Sequence, residues 1–295
     1  EPLLGTTAAL PAPREPLPAA RPGARWGLTD ERLAALTRAI DGRRGVIVAG
    51  DRAARNAEEA VAVHRLAAHL QWPVLADAPS GCRREIASTI TAFDALVRHE
   101  PFADAHRPEV VLQLGGLVAS TQLHRWLTGS AALQVGVDPY GAAPDPDRVL
   151  AETLHADIAV TADQLRSTVT RPAPPEWRAG WIAAESAARA ALERVITRHT
   201  EATEPGVAID LMGMLSDGGL LVVSSSMPVR DLEWYAPARD GVDVLSNRGA
   251  NGIDGVVSTA VGAALTGAPT ALLIGDVAFL HDTNGLLGLA GRPAP

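Results

Sequence analysis

A carboxylate, an arginine and a run of hydroxyls stand near the ends of three apolar segments in the last third of the sequence. Asp276 follows Gly275 after the run Ala271-Leu272-Leu273-Ile274. Where such a pair leaves a strand and opens a helix, glycine lets a bulky anion approach the backbone. The helix N-terminus adds unpaired N–H groups and partial positive charge, and the carboxylate can hold a divalent cation that neutralises phosphate. An Asp in this position also serves as a plain helix cap, so the pair alone does not separate the two readings. Arg248 lies beside Asn247 in a glycine-flanked turn. There a guanidinium can bind a carboxylate bidentately without losing its proton, or make a simple salt bridge. Ser224-Ser225-Ser226 follows residues 220–223 directly, which turns its hydroxyls and backbone N–H groups to the same edge as Asp276. No G-x-S-x-G elbow surrounds these serines, which argues against a serine hydrolase.

Strands and helices must carry these groups. Residues 271–274, bounded by Pro269 and Gly275, read as a strand buried on both faces of a parallel sheet. The far end of such a strand is where open α/β sheets bind ligands. Residues 220–223 and 242–245 supply two further strands, and residues 255–265 form an intervening helix stopped by Gly267. Pro205 starts the helix that carries residues 209–215.

Upstream, the cap-type pair Thr29 and Asp30 opens an amphipathic helix through residue 40, and residues 45–50 form a buried strand closed by glycine. Residues 51–70 read as a helix with Ala60, Val63, Leu66 and Leu70 on one stripe. Strands follow at 73–76, 110–114 and 133–137, with 158–161 as a fifth; the region 85–99 reads as largely helical and 123–127 as a short helix. This alternation predicts an α/β architecture, a doubly wound parallel sheet over residues 29–172. Residues 1–28 read as a Pro- and Ala-rich linker, and Pro172, Pro174 and Pro175 mark the start of a second α/β unit over 173–295. Its long first helix carries Trp177 and Trp181 on one face, a spacing suited to packing. No G-x-G-x-x-G follows the strand at 45–50, which argues against a dinucleotide site there.

Three blocks, SSSMPVRD (224–231), SNRGANGIDG (246–255) and LLIGDVAFLHDTNGLL (272–287), occur in that order. Together they resemble the thiamine-diphosphate-dependent SEPHCHC synthases of menaquinone biosynthesis. The resemblance is specific over the last seventy or so residues and looser before them. It implies a middle α/β domain without nucleotide, followed by the first part of a diphosphate-binding domain, in a fragment lacking the family's first domain and C-terminal end. The implied chemistry is decarboxylation of 2-oxoglutarate and conjugate addition of the succinyl unit to isochorismate. The implied cofactors are thiamine diphosphate and Mg2+ or Mn2+, in a homodimer or homotetramer; the start Glu1-Pro2-Leu3-Leu4, unlike a signal peptide, makes a cytoplasmic protein the expectation.

Residue by residue, the resemblance implies substrate binding by Ser226, Arg230 and Arg248, and cofactor binding by Ser226, Asn247, Ile253, Gly275, Asp276 and Val277. Asp276 matches the first metal ligand, and Ile253 the aliphatic residue that props the cofactor into its bent shape. The second ligand and the activating glutamate fall outside these residues, so Asn284 is not assigned as a ligand and no catalytic residue is assigned. The loop at 113–121 has Thr121 where the family often has lysine, and no substrate role is carried there. Two readings compete: another thiamine-diphosphate enzyme, such as a 2-oxoacid decarboxylase or acetolactate-type synthase, and a non-catalytic α/β binding module. Enzymes of the first kind commonly show Gly-Asp-Gly at the metal turn, whereas Val277 follows Asp276 here.

Composition sets outer bounds. The 295 residues allow two modest domains, and 47% hydrophobic with 20% charged residues fits a globular chain. No apolar run approaches the roughly 20 residues needed to span a bilayer. The net charge of -8 argues against nucleic acid. A single cysteine, Cys82, excludes an internal disulfide and a cysteine zinc cluster. His64 and His69 fall on different helix faces, a poor metal pair.

Overall fold

The computed structural model describes residues 25–141, 144–247 and 252–289. The first unit alternates α1 (Asp30–Ile40), β1 (Gly45–Ala49), α2 (Ala57–Leu70), β2 (Val74–Ala76), β3 (Thr89–Ile90), α3 (Phe93–Arg98), α4 (Glu100–Ala105), β4 (Val110–Leu114), α5 (Thr121–Thr128), β5 (Leu133–Asp138), β6 (Glu152–His155) and α6 (Ile158–Thr168). The second alternates α7 (Pro175–Ile196), α8 (Glu204–Met214), β7 (Gly219–Val223), α9 (Met227–Tyr235), β8 (Val242–Ser246), α10 (Val256–Ala264), β9 (Thr270–Leu273) and α11 (Asp276–His281).

The first six strands form one parallel sheet in the order β3-β2-β1-β4-β5-β6. This order reverses between β1 and β4, the pattern of a doubly wound fold with helices on both faces. Every residue of β1 is buried, and Val110, Val111 and Leu112 of β4 are too, as expected for strands covered on both sides. The helices begin where the sequence supplies caps. Thr29 accepts from the Arg32 N–H, Asn56 from Glu59 (3.0 Å), Ser120 from Leu123 (2.9 Å) and Asp157 from Ala159 and Val160.

Three parts of the sequence reading are corrected. Residues 158–161 are the first turn of α6, because Asp157 caps a helix there; the outer strand is β6, whose exposed residues 152, 153 and 155 carry no apolar signal. The region 85–99 contains the two-residue strand β3 before α3, so it is not largely helical. The predicted helix over 51–70 begins only at Ala57, since residues 51–56 form the turn that leaves β1.

That turn is tight. A Cβ on Gly50 would lie 1.7 Å from the Gly116 carbonyl oxygen, and Gly115 has φ +72. Glycine is required where the ends of β1 and β4 meet.

Trp177 and Trp181 pack, as their spacing predicts. Both are buried, and their rings meet Phe102, His106 and Trp126 in a chain of edge and tilted contacts, while the Trp177 indole N–H donates to the Gly45 carbonyl at 2.7 Å. This cluster fastens α7 to the first sheet.

The second sheet is parallel, in the order β8-β7-β9. Its core joins Leu221, Val223, Val229, Leu232 and Met212 to Ala78, which lies just past β2 of the first sheet. The two sheets therefore share an interface along the segment that leaves β2. Arg84 donates to Asp243 at 2.8 Å, and Arg189 of α7 donates to the Tyr235 carbonyl at 3.0 Å. β9 corrects the last strand expectation: all four of its residues are half-buried, because it is an edge strand within the described sheet. Among the described residues, no helix is long and apolar enough to cross a membrane.

Candidate functional site

The C-terminal edge of the second sheet opens into a cavity of about 630 Å³. Ser224, Ser225 and Ser226 line it from the end of β7, Gly275, Asp276 and Val277 from the end of β9, and Ile253 from the loop before α10. Thr203 and Glu204 close another side at the start of α8. The N-termini of α8, α9 and α11 thus face one space. Unpaired N–H groups and the positive ends of helix dipoles make such a convergence favourable for an anion.

The register explains the convergence. Val223 of β7 pairs with Leu273 of β9, so the residues that follow them leave the sheet side by side. A Cβ on Gly275 would meet nothing within 4 Å, which leaves the backbone open to a ligand. Asp276 is exposed, and one of its oxygens accepts the Val277 N–H at 2.8 Å. Among the described residues no donor reaches the other oxygen, the disposition a carboxylate needs to reach a cation.

Ser226 has φ 75 and ψ -132, a region that side-chain-bearing residues rarely adopt. Strain of this kind persists only where surrounding structure enforces it, and it collects at ligand sites. Here the strained turn starts α9 and brings the backbone of residues 225–227 to the rim.

Of the other sequence-selected residues, Arg230 is half-buried on α9 and does not line this cavity. Asn247 is half-buried, and its amide donates to the Thr259 hydroxyl at 3.0 Å. It faces a separate cleft of about 780 Å³ between the sheets, with Asp51, Arg52, Arg55 and Asp243. Ile253 is 37% exposed and faces the cavity rather than the core. Arg248 lies outside the described residues. Asp282 accepts from the backbone N–H and hydroxyl of Ser258, which is a packing role. His64 is buried between the Ser88 hydroxyl and the Cys82 carbonyl, and no cluster of three metal-ligating side chains occurs among the described residues.

The sequence reading missed two carboxyl groups on the cavity wall, Asp231 and Glu204. Asp231 is 4% exposed; burial, with the Glu204 carboxylate second, pushes it up to about 6. The available signal was helical spacing: Asp231 is four residues after Met227 on α9, and thus one turn below the rim.

The residues present fit a diphosphate held through a divalent cation: Asp276 supplies the hard oxygen ligand, Gly275 the open backbone, and the helix N-termini the N–H donors.

The family model described as the middle domain of thiamine pyrophosphate matches residues 32–223. A 2-succinyl-5-enolpyruvyl-6-hydroxy-3-cyclohexene-1-carboxylate synthase of Rubrobacter xylanophilus is 40% identical over 256 residues, covering 85% of this chain and 44% of that protein. The synthase of the same name from Myxococcus xanthus is 38% identical (85% and 43% covered), and that from Geobacillus kaustophilus 38% identical (89% and 46% covered). The chain spans less than half the length of these curated relatives. A family match over well more than half of the chain, on a parallel α/β sheet of the expected kind, establishes that the chain belongs to the family of thiamine pyrophosphate enzymes with this middle domain.

Proposed function

We propose that these residues form the middle domain (29–172) and the cofactor-holding part of the diphosphate-binding domain (173–295) of a thiamine-diphosphate-dependent synthase. Its reaction is decarboxylation of 2-oxoglutarate and conjugate addition of the succinyl unit to isochorismate, a step of menaquinone biosynthesis. The observation that carries this reading is the single cavity in which Ser226, Ile253, Gly275, Asp276 and Val277 meet at three helix N-termini. The synthase names of the relatives support the choice of reaction.

When bound, thiamine diphosphate supplies the thiazolium that stabilises carbanion character at the carbon losing carboxylate. The chain's residues do the holding. Asp276 would ligate Mg2+ or Mn2+, and the backbone around Gly275 and Ser226 would donate to the diphosphate. Ile253 would support the bend of the cofactor, and Ser226, Arg230 and Arg248 would receive substrate carboxylates. Asn247 is assigned to the cofactor turn. No proton-transfer residue is assigned among these groups. The working form is a cytoplasmic homodimer or homotetramer.

The test is carbon–carbon coupling of 2-oxoglutarate with isochorismate by the natural protein that carries these residues. Arg248→Ala is expected to lower kcat/KM by roughly 30- to 150-fold, the worth of a charge-assisted pair. An unchanged kcat/KM would remove Arg248 from its role. Magnesium-dependent cofactor binding without coupling would favour another thiamine-diphosphate reaction, and no binding would favour a non-catalytic module.

A further inference from the structure

Helix α9 starts at the strained Ser226 turn and ends against the first sheet. Near that far end Glu233 is 0% exposed, and so is Asp77 at the end of β2. No N–H or O–H among the described residues donates to either carboxyl oxygen of Glu233. The acidic group that bears on it most strongly is the buried carboxyl of Asp77. Asp77 is the natural acceptor of the pair, since one of its oxygens takes the Ala78 N–H (2.8 Å) and the other the Ala119 N–H (3.0 Å). Two facing carboxyl groups removed from water cannot both ionise at modest cost, and an acceptor facing an acceptor needs a proton between them.

We propose that Glu233 and Asp77 share one proton and so form a latch between the sheets, making Glu233 a positioning residue that fixes α9 and the Ser226 turn. The surroundings support a neutral Glu233. Burial, then the Asp77 carboxyl, holds its carboxyl well above the usual range. Arg83, also buried, turns its terminal nitrogens to carbonyls instead, donating to Glu233 O at 2.9 Å and to Ala236 O, while its Nε meets no acceptor among the described residues. Among the described residues, no ion pair reaches the Glu233 carboxyl. The other charged groups around the junction are Asp94 of α3, whose carboxylate is bound by Arg98, and Glu185 and Arg189 of α7. Arg98 also lies over the Trp234 ring at 5.9 Å, which joins α3 to α9 near the pair.

The sign follows from the raised carboxyl. Below the ordinary glutamate value of 4.5 the folded and unfolded states both hold the proton. As pH rises above it, the unfolded chain releases a proton that the latch retains, so stability falls with pH until the folded state also releases it. Release leaves two buried anions facing each other, and α9 is expected to move away from Asp77.

The shared proton stands on the interface alone; its effect on the cavity rests on the cofactor reading above. The test uses the natural protein, with Mg2+ and thiamine diphosphate as the probe. Affinity of the wild type is expected to fall about tenfold between about pH 6.5 and pH 9, the change carried by about one pKa unit. Glu233→Gln, which keeps an N–H donor toward Asp77 and cannot titrate, is expected to change less than about twofold over the same range. Should Glu233→Gln fail to fold, Glu233→Leu fills the site without a titratable group, leaves Asp77 on its two N–H donors, and is expected to show the same flattening. The infrared carboxylic C=O band of a protonated buried acid, observed in the wild type at about pH 7.5 and lost in either variant, reads the proton directly. Identical pH profiles in wild type and variants, or no such band, would overturn the latch. No cofactor binding at any pH would overturn the cofactor reading, while the infrared band would still decide the latch.

Discussion

Ser226 and Asp276 stand level on the sheet edge: each lies three residues past a member of the in-register pair Val223 and Leu273. Parallel strands have no other way to bring distant residues so simply to one place. The equal offset lets a hydroxyl-rich turn and a carboxylate address the same ligand from two helix N-termini.

Ser226 carries the backbone conformation of a glycine, with φ 75. Ser226→Gly is expected to raise the denaturant midpoint by an amount worth about 1 kcal/mol, the low end of the cost of such strain. Ser226→Ala should give no such gain. Equal midpoints for the two variants would show that the turn is unstrained.

Asp231 predicts a pH effect. Its folded carboxyl is raised to about 6 from an ordinary 3.8, so the folded state holds a proton that the unfolded chain gives up. Stability therefore falls as pH rises through that window, and the penalty is complete above about 6. Asp231→Asn in the cofactor-free protein is expected to be more stable than wild type by on the order of 1–3 kcal/mol at about pH 7.5. That margin should vanish below about pH 4. Thermal melts across this range check it, and a constant margin would contradict the cause.

Gly50→Ala tests the close approach at the end of β1. The added methyl would overlap the Gly116 carbonyl oxygen at 1.7 Å, against backbone that cannot swing aside. A loss of about 3 kcal/mol or more is expected from overpacking of this kind. A melting temperature close to wild type would show that the two turns can separate.

Much of the fold was legible because parallel strands covered on both faces announce themselves as apolar runs, as residues 45–49 and 110–114 do. The outer strand Glu152–His155 was not legible, since an edge needs little apolar surface. The reverse held for residues 158–161, whose apolar letters belong to a buried helix turn. Gly275 and Asp276 could be located from their place after a strand. Glu233 could not, because nothing in the letters says that a glutamate near a helix end will be buried against Asp77 of another sheet. Asp231 fell between these cases: recognising α9 as a helix would have put it one turn from the rim.

The most direct measurement is calorimetric titration of thiamine diphosphate with Mg2+ into the natural protein and its Asp276→Ala variant. Loss of the only assigned metal ligand is expected to weaken binding by about 100-fold or more, in the range of a lost charged ligand, and chelation of Mg2+ should weaken wild type comparably. Equal affinity in wild type and Asp276→Ala, with or without the metal, would contradict the assignment of this cavity.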